Sequence, residues 1–413
     1  MKKIFPLVLI YVIALIGWMI LGSVTSFRSY SQDDKLKQRV GGLWGASQDQ
    51  EAPDVFYEEK KMKTVKERDE DTDRMASRTV ETIEQFGINL ESTDLKADFN
   101  LDYRKKGLLW YSTYKVKIAG EYGFINTAGK NTDVNFVYKF PSSNGVYDDF
   151  LIMVNGKKFE NVRPANGKVA VKLPMKAGEK ASVTVSYVSQ GMDNWWYSFG
   201  SSVTNVKNFN LVMTTDFNKI DFPERAMSPS SKKKTEKGWE LAWNYKNLLS
   251  GINIGLEMPK KLNPGPFASQ VSFFAPVSLF FFFFLMFIIT AIKGIKIHPM
   301  NYFFIAAAFF SFHLMLSYLA DVVNIYIAFT IASAVSIFLV ISYMRLVVGN
   351  KFAFFEVGLS QFVYLVLFSA AFFLQGYTGL TITALVVITL FVVMQFTGKV
   401  DWEKQLKADK PGK

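Results

Sequence analysis

The chain has 413 residues, half of them hydrophobic and a fifth charged, with no Cys and only two His. Zero Cys excludes disulfides, thiolate nucleophiles, CxxC redox pairs and cysteine-ligated zinc or iron–sulfur sites. Both histidines, His298 and His313, lie in the apolar C-terminal third, which excludes a Ser-His-Asp triad or a His-ligated metal elsewhere in the chain.

After Met1-Lys2-Lys3, an apolar run from Ile4 to Leu21 is long enough to cross a hydrocarbon core of ~30 Å at ~1.5 Å per residue. Gly22-Ser23-Val24 offers the small residues of a signal-peptide cleavage site, but a signal core is shorter, roughly 7–15 residues. Residues 1–23 are therefore expected to be an uncleaved transmembrane anchor, and residues 24–268 a polar domain.

Within that domain, Gly41-Gly42-Leu43-Trp44-Gly45 reads as a turn region. The charged run from Glu58 to Arg74 interleaves both signs, the pattern of a solvated helix face or a flexible loop. Glu81–Ile88 is expected to be helical. From Arg104 onward the hydrophobic period becomes two, as in Val134-Asn135-Phe136-Val137-Tyr138, Leu151–Val154, Lys168–Leu173 and Ser182–Val188. Asn155-Gly156 is a hairpin signal, because both residues tolerate the positive φ of a type I′ turn; Lys176–Glu179 is a second turn. Short strands at this spacing predict an antiparallel, sandwich-like domain. It holds six of the eight tryptophans, and the pair Trp195-Trp196 suits either core packing or an aromatic platform for glycan or peptidoglycan. Asp148-Asp149 reads as a turn rather than half of a carboxylate pair.

Residues 269–397 contain five further apolar runs: Val271–Ile292, with Pro276 placed in its first turns, then Tyr302–Ala320, Ile325–Tyr343, Phe352–Leu374 and Leu380–Phe396. Lys2, Lys3, Lys293, Lys296, Arg345, Lys351 and the lysines of a 398–413 tail all fall on one side. The opposite connectors hold only Asp321 and an uncharged Gln375–Gly379 loop. By the positive-inside rule both termini are cytoplasmic and the polar domain is outside. The exported part then carries 36 basic and 31 acidic residues, a net charge of +5 within the +11 of the chain. Much of the basic character thus reports topology, and nucleic acid is not an expected partner.

Ionisable groups near the spans are His298, His313, Asp321, Arg345 and Glu356. Intramembrane charges are costly and so draw attention as functional candidates. All except His313 fall near a span boundary, where snorkelling suffices, and Arg345 and Glu356 are close enough in sequence to pair across a short loop. A single histidine well inside a span suits a neutral, hydrogen-bonded packing role better than a proton relay, which needs several such groups. No nucleotide loop, HExxH or GxSxG motif is present.

Several short segments together resemble the CreD-type inner-membrane proteins. His298-Pro299-Met300-Asn301-Tyr302 is similar to that family's His-Pro-x-x-Tyr, and Tyr343-Met344-Arg345 with Gly349 to its Tyr-x-Arg-x-x-x-Gly. Thr397-Gly398-Lys399-Val400-Asp401-Trp402 resembles its terminal Thr-x-Lys/Arg-Ile/Val-Asp-Trp. Trp44-Gly45-Ala46-Ser47-Gln48 with Pro53 resembles its Trp-Gly-x-x-Gln…Gly-Pro. Two departures stand out: Ala320-Asp321-Val322 replaces the family's Ser-Glu-His, and Ala52 replaces the glycine before the proline. The resemblance implies a bacterial inner-membrane protein of cell envelope integrity and stress response, with no established catalytic chemistry.

The expected fold is therefore an α+β membrane protein with a single N-terminal transmembrane helix, an exported mainly-β domain and a C-terminal five-helix transmembrane bundle. The expected function is non-enzymatic coupling of the β domain to the bundle; the alternative is a small-solute or lipid transporter subunit. No catalytic, cofactor-binding or metal residues are expected. Expected partners are the lipid bilayer and, through the β domain, envelope proteins or peptidoglycan. The candidate functional or motif residues are Trp44, Gln48, Trp195, Trp196, His298, Pro299, Tyr302, His313, Asp321, Arg345, Asp401 and Trp402.

Overall fold

The computed structural model describes residues 4–68, 75–106, 109–143, 145–160, 162–200 and 204–398. The chain divides into two compact units. One comprises Met1–Lys35, Gly107–Leu109 and Leu262–Lys413, and the other Leu36–Lys106 and Trp110–Lys261.

The first unit is helical. Its elements are α1 (Ile4–Trp44), which continues into the second unit, α2 (Pro264–Lys293), α3 (Pro299–Val322), α4 (Ile325–Val348), α5 (Asn350–Phe373) and α6 (Thr378–Thr397). Among the described residues, six helices are long and apolar enough to cross a membrane. α1 is longer than its apolar run and includes the Gly41-Gly42-Leu43-Trp44 segment expected to turn; the turn falls at Gly45 instead. α2 also starts earlier than expected, with Pro264 in its first turn where a missing N–H costs least. Pro276 consequently lies in the helix interior. The carbonyl of Pro276 accepts a hydrogen bond from the Tyr11 hydroxyl at 3.0 Å. α5 is interrupted by π-helical turns at Ala353–Val357 and Phe362–Leu367.

Small side chains let these helices approach closely, the usual basis of helix association in lipid. A Cβ at Gly22 of α1 would meet the Phe273 ring of α2 at 3.0 Å, and Ser269 donates to the Gly22 carbonyl at 2.9 Å. Aromatic residues fill the interior, with Phe282 against Phe309 at 4.9 Å and Phe283 edge-on to Tyr302 at 5.2 Å.

The second unit is built of strands. In chain order they are β1 (Gln48–Glu51), β2 (Asp54–Arg68), β3 (Met75–Gly87), β4 (Leu90–Lys106), β5 (Leu109–Ile125), β6 (Thr132–Lys139), β7 (Tyr147–Val154) and β8 (Lys157–Lys158). They continue with β9 (Lys168–Met175), β10 (Lys180–Met192), β11 (Asn194–Ser198), β12 (Thr204–Thr215), β13 (Ser231–Lys234), β14 (Trp239–Ser250) and β15 (Ile254–Glu257). An eight-stranded sheet has the order β13-β14-β12-β4-β5-β10-β7-β8, a four-stranded sheet β3-β2-β6-β9, and a three-stranded sheet β1-β11-β15. Alternation of buried and exposed positions, as in Leu95, Ala97 and Phe99 of β4 and Val183, Val185 and Tyr187 of β10, gives the large sheet one apolar face. The four-stranded sheet covers it, with Phe136 of β6 6.0 Å from Tyr122 and Tyr138 6.3 Å from Tyr187.

Two local readings change. The described part of the charged run, Glu58–Arg68, and the segment Glu81–Gly87 are not helical; they lie in β2 and β3, which pair antiparallel with Glu59 opposite Glu84 and Met62 opposite Glu81. The mixed signs answer one another across the strands, as Lys60 with Glu81 at 2.9 Å and Lys61 with Glu84. Such exposed pairs are screened by solvent, so they specify register more than stability. Residues 69–74 of the run lie outside the described residues. The Asn155-Gly156 turn forms as expected, with φ of 48° and 76°, joining β7 to β8. The Lys176–Glu179 turn also forms, but β9 pairs with β6 while β10 pairs with β5 and β7, so it carries the chain from one sheet to the other.

Candidate functional site

The motif residues of the second unit serve its construction. Trp44 ends α1, and its ring lies 3.9 Å from the Arg104 guanidinium carbon. Gly45 follows with φ +98°, and a Cβ there would sit 2.1 Å from the Gln190 carbonyl oxygen, so only glycine fits. Gln48, fully buried, donates from Nε2 to Ser189 Oγ at 2.7 Å and to the Gln190 carbonyl at 2.8 Å. The Trp-Gly-x-x-Gln segment thus bolts β1 onto the end of β10. Trp195 is wholly buried, edge-on to Phe99 at 5.6 Å, whereas Trp196 is half-buried and lies over Gly255. Asp148 and Asp149 sit on exposed β7 backbone, Asp149 with φ 50°.

In the helical unit, His298 caps α3, its Nδ1 accepting from the Met300 N–H at 3.2 Å, and Pro299 occupies the first turn. Tyr302 is buried one turn later. Asn301 accepts from the Tyr343 hydroxyl at 2.8 Å, so two of the motif segments meet. Arg345 is exposed in the last turn of α4. Asp401 and Trp402 lie outside the described residues.

His313 is fully buried in α3. Its Nδ1 is 3.0 Å from the Phe309 carbonyl one turn back, and its ring is edge-on to Trp18 of α1 at 5.5 Å and to Phe312 at 4.8 Å. Elsewhere in the unit runs a short polar chain: Gln361 Nε2 donates to Ser336 Oγ at 2.9 Å, and Ser336 donates to the Ala308 carbonyl at 2.6 Å. These bonds tie α5 to α4 and α4 to α3. Gln361 directly precedes the second π-helical turn, a distortion that re-aims side chains inside a helix.

Ion pairs close both ends of this unit. At one end Asp321, near the C-terminus of α3, pairs with Arg28 of α1 at 2.8 Å. Arg28 also donates to the Ser317 carbonyl at 3.1 Å and lies 5.4 Å from the Tyr318 ring centroid. At the other end Glu356 of α5 pairs with Lys293 of α2, not with Arg345. Neither partner was visible in sequence, because each comes from a different helix, 293 and 63 positions away in number. The only available signal was that a charge near an apolar run requires a counter-charge.

A cavity of 590 Å³ opens beside the Lys293–Glu356 pair, between α2, α5 and α6. Leu285, Ile289, Leu359, Val363, Ile388 and Val392 line its length, and Tyr364, which donates to Thr389 at 3.2 Å, lies at its wall. His313 is not among its lining residues. Among the described residues, no group of three or more His, Asp or Glu is placed to hold a metal ion.

Among solved structures, the chain is similar to a candidate nutrient-binding protein of Legionella pneumophila at 12% identity and TM-score 0.33, over 48% of this chain and 71% of that one. It is also similar to an M1 zinc metallopeptidase of Deinococcus radiodurans at 8% identity and TM-score 0.25, over 78% of this chain and 92% of that one. At these scores neither likeness bears on activity. Curated proteins give no match. The family model for the inner membrane protein CreD matches residues 1–403, and the chain belongs to the CreD family.

Proposed function

We propose that this is a non-enzymatic, multi-pass inner-membrane protein of cell envelope integrity and stress response, in which α1 links the state of an exported β unit to the helical unit. Both termini are cytoplasmic and the β unit periplasmic in this reading. The support for the orientation is the charge distribution in the short connectors of the C-terminal helices: Lys293, Lys296, Arg345 and Lys351 flank one set, and the other set holds only Asp321, which pairs with Arg28 of α1.

The observation that carries the reading is α1 itself. It is one unbroken helix of 41 residues contributing to both units. Within the helical unit it is held by the Arg28–Asp321 pair and the Trp18–His313 contact. Within the β unit its last turns are held by Lys37 with Asp193 at 2.6 Å and by the burial of Val40. A helix whose two parts belong to different compact units is the covalent element through which a change in one can reach the other.

The test is complementation of a strain lacking the gene, reading uptake of a dye that an intact envelope excludes, at matched protein level. Arg28→Asp and Asp321→Arg are each expected to leak, and the double exchange to restore exclusion. Single variants as tight as the wild type would end the coupling reading, and a deletion strain with an unchanged envelope under stress would end the envelope reading.

A further inference from the structure

The cavity beside Lys293 and Glu356 has no part in the reading above, which rests on α1 and α3. Its 590 Å³ lies within the ~300–1,000 Å³ range of small-molecule sites. It runs along α2 from Leu285 to Lys293, eight residues or about 12 Å. One leaflet occupies about half of a ~30 Å hydrocarbon core, so the groove has the depth of an acyl chain reaching from the headgroup boundary toward the midplane.

The walls are mainly aliphatic, with Phe355, Ser360, Tyr364 and Thr389 among them, and the charges sit at one end only. Lys293 is the last residue of α2 and Glu356 lies in the second turn of α5, which places both at the boundary. Lys296 and Lys351, both exposed, add positive charge to the same helix ends. Glu356 engages Lys293 through Oε1, while its Oε2 is buried without a hydrogen-bond partner. A buried carboxylate oxygen in that position calls for a donor, and a charged donor most strongly. The end of the groove therefore presents an ammonium to an anion and a carboxylate oxygen to a cation.

We propose that this groove binds one phospholipid whose headgroup carries both a phosphate and a primary ammonium, as in phosphatidylethanolamine. An acyl chain fills the aliphatic length, Lys293 faces the phosphate, and Glu356 Oε2 accepts from the ammonium. A quaternary headgroup of the same charge has no N–H to donate, which makes phosphatidylcholine the informative comparison.

The experiment uses the full-length protein, purified in detergent, stripped of lipid and titrated with phosphatidylethanolamine or phosphatidylcholine of identical chains, with bound lipid counted by native mass spectrometry. Phosphatidylethanolamine is expected to bind at one per chain, about tenfold or more tighter than phosphatidylcholine, the loss expected when a charge-assisted hydrogen bond is removed. Glu356→Gln should bring the ratio of the two lipids close to one. Ile388→Trp, which leaves the ion pair intact and fills the groove, should weaken both. Equal binding of the two lipids by the wild type, a ratio unchanged by Glu356→Gln, or binding indifferent to Ile388→Trp would each overturn the site. Any of these would leave the α1 coupling untouched, because Arg28, Asp321 and His313 do not line the groove.

Discussion

Replacing Trp195 by Ala tests how the β unit is held together. With no Cys in the chain, this unit has no disulfide and depends on packing. Trp195 sits on β11 between β1 and β15, with Gln48 and Leu256 as its backbone neighbours, and has no exposed surface. Truncating a buried Trp or Phe to Ala typically costs ~3–5 kcal/mol, the lost transfer energy plus that of the cavity left behind. For a domain of roughly 150–250 residues each kcal/mol lowers the melting point by ~2–4 °C, so a loss of ~4 kcal/mol predicts a fall of ~8–16 °C. Trp196 provides the internal control. It is next in sequence but half-buried, so Trp196→Ala is expected to cost no more than ~1–2 kcal/mol. The assay is thermal melting of the full-length protein in lipid nanodiscs, followed by near-ultraviolet circular dichroism and by protease resistance of the β unit. Trp195→Ala melting no earlier than Trp196→Ala would refute the assignment of Trp195 to the core.

Alkali should unfold the β unit in a defined direction. Burial raises the hydroxyl pKa of Tyr114, Tyr122, Tyr138, Tyr187 and Tyr197, and pushes that of the half-buried Tyr147 up to about 12. Unfolded tyrosines ionise near ~10, so the stability these groups contribute is complete below that pH and is lost as pH rises toward and past 12. Ultraviolet titration at the phenolate band should show a cooperative late step coincident with unfolding; independent ionisation near the free value would contradict it. The absence of native Cys also makes the chain ready for single-cysteine labelling. Met62→Cys and Gln375→Cys, both exposed positions, should react with a membrane-impermeant maleimide on intact spheroplasts, and Lys351→Cys only after lysis. The opposite pattern would reverse the proposed orientation.

The apolar runs were legible because the requirement is local: ~20 consecutive apolar residues suffice to span a bilayer, whatever surrounds them. The Asn155-Gly156 turn was legible for the same reason, since positive φ is a property of the residues themselves. The charged run before Arg74 misled because mixed signs suit a helix face and a strand ladder equally; the partner strand, β3, decides between them. His298 could be noticed as a motif residue, but its role as a helix cap appears only with the Met300 N–H in place. Pro276 was placed at a helix start by its composition, whereas the helix begins twelve residues earlier at Pro264.

By itself, then, the sequence determined that the protein has a polar, strand-rich part between one apolar helix and five more, because hydrophobic length and period are carried by neighbouring residues. Tertiary structure alone decided that Arg28 answers Asp321, that Lys293 answers Glu356, that the Lys176–Glu179 turn joins two sheets, and that α2, α5 and α6 leave a groove between them. Those outcomes join residues tens to hundreds of positions apart, and a charge or a strand edge chooses its partner only when packing has brought the candidates within a few ångströms.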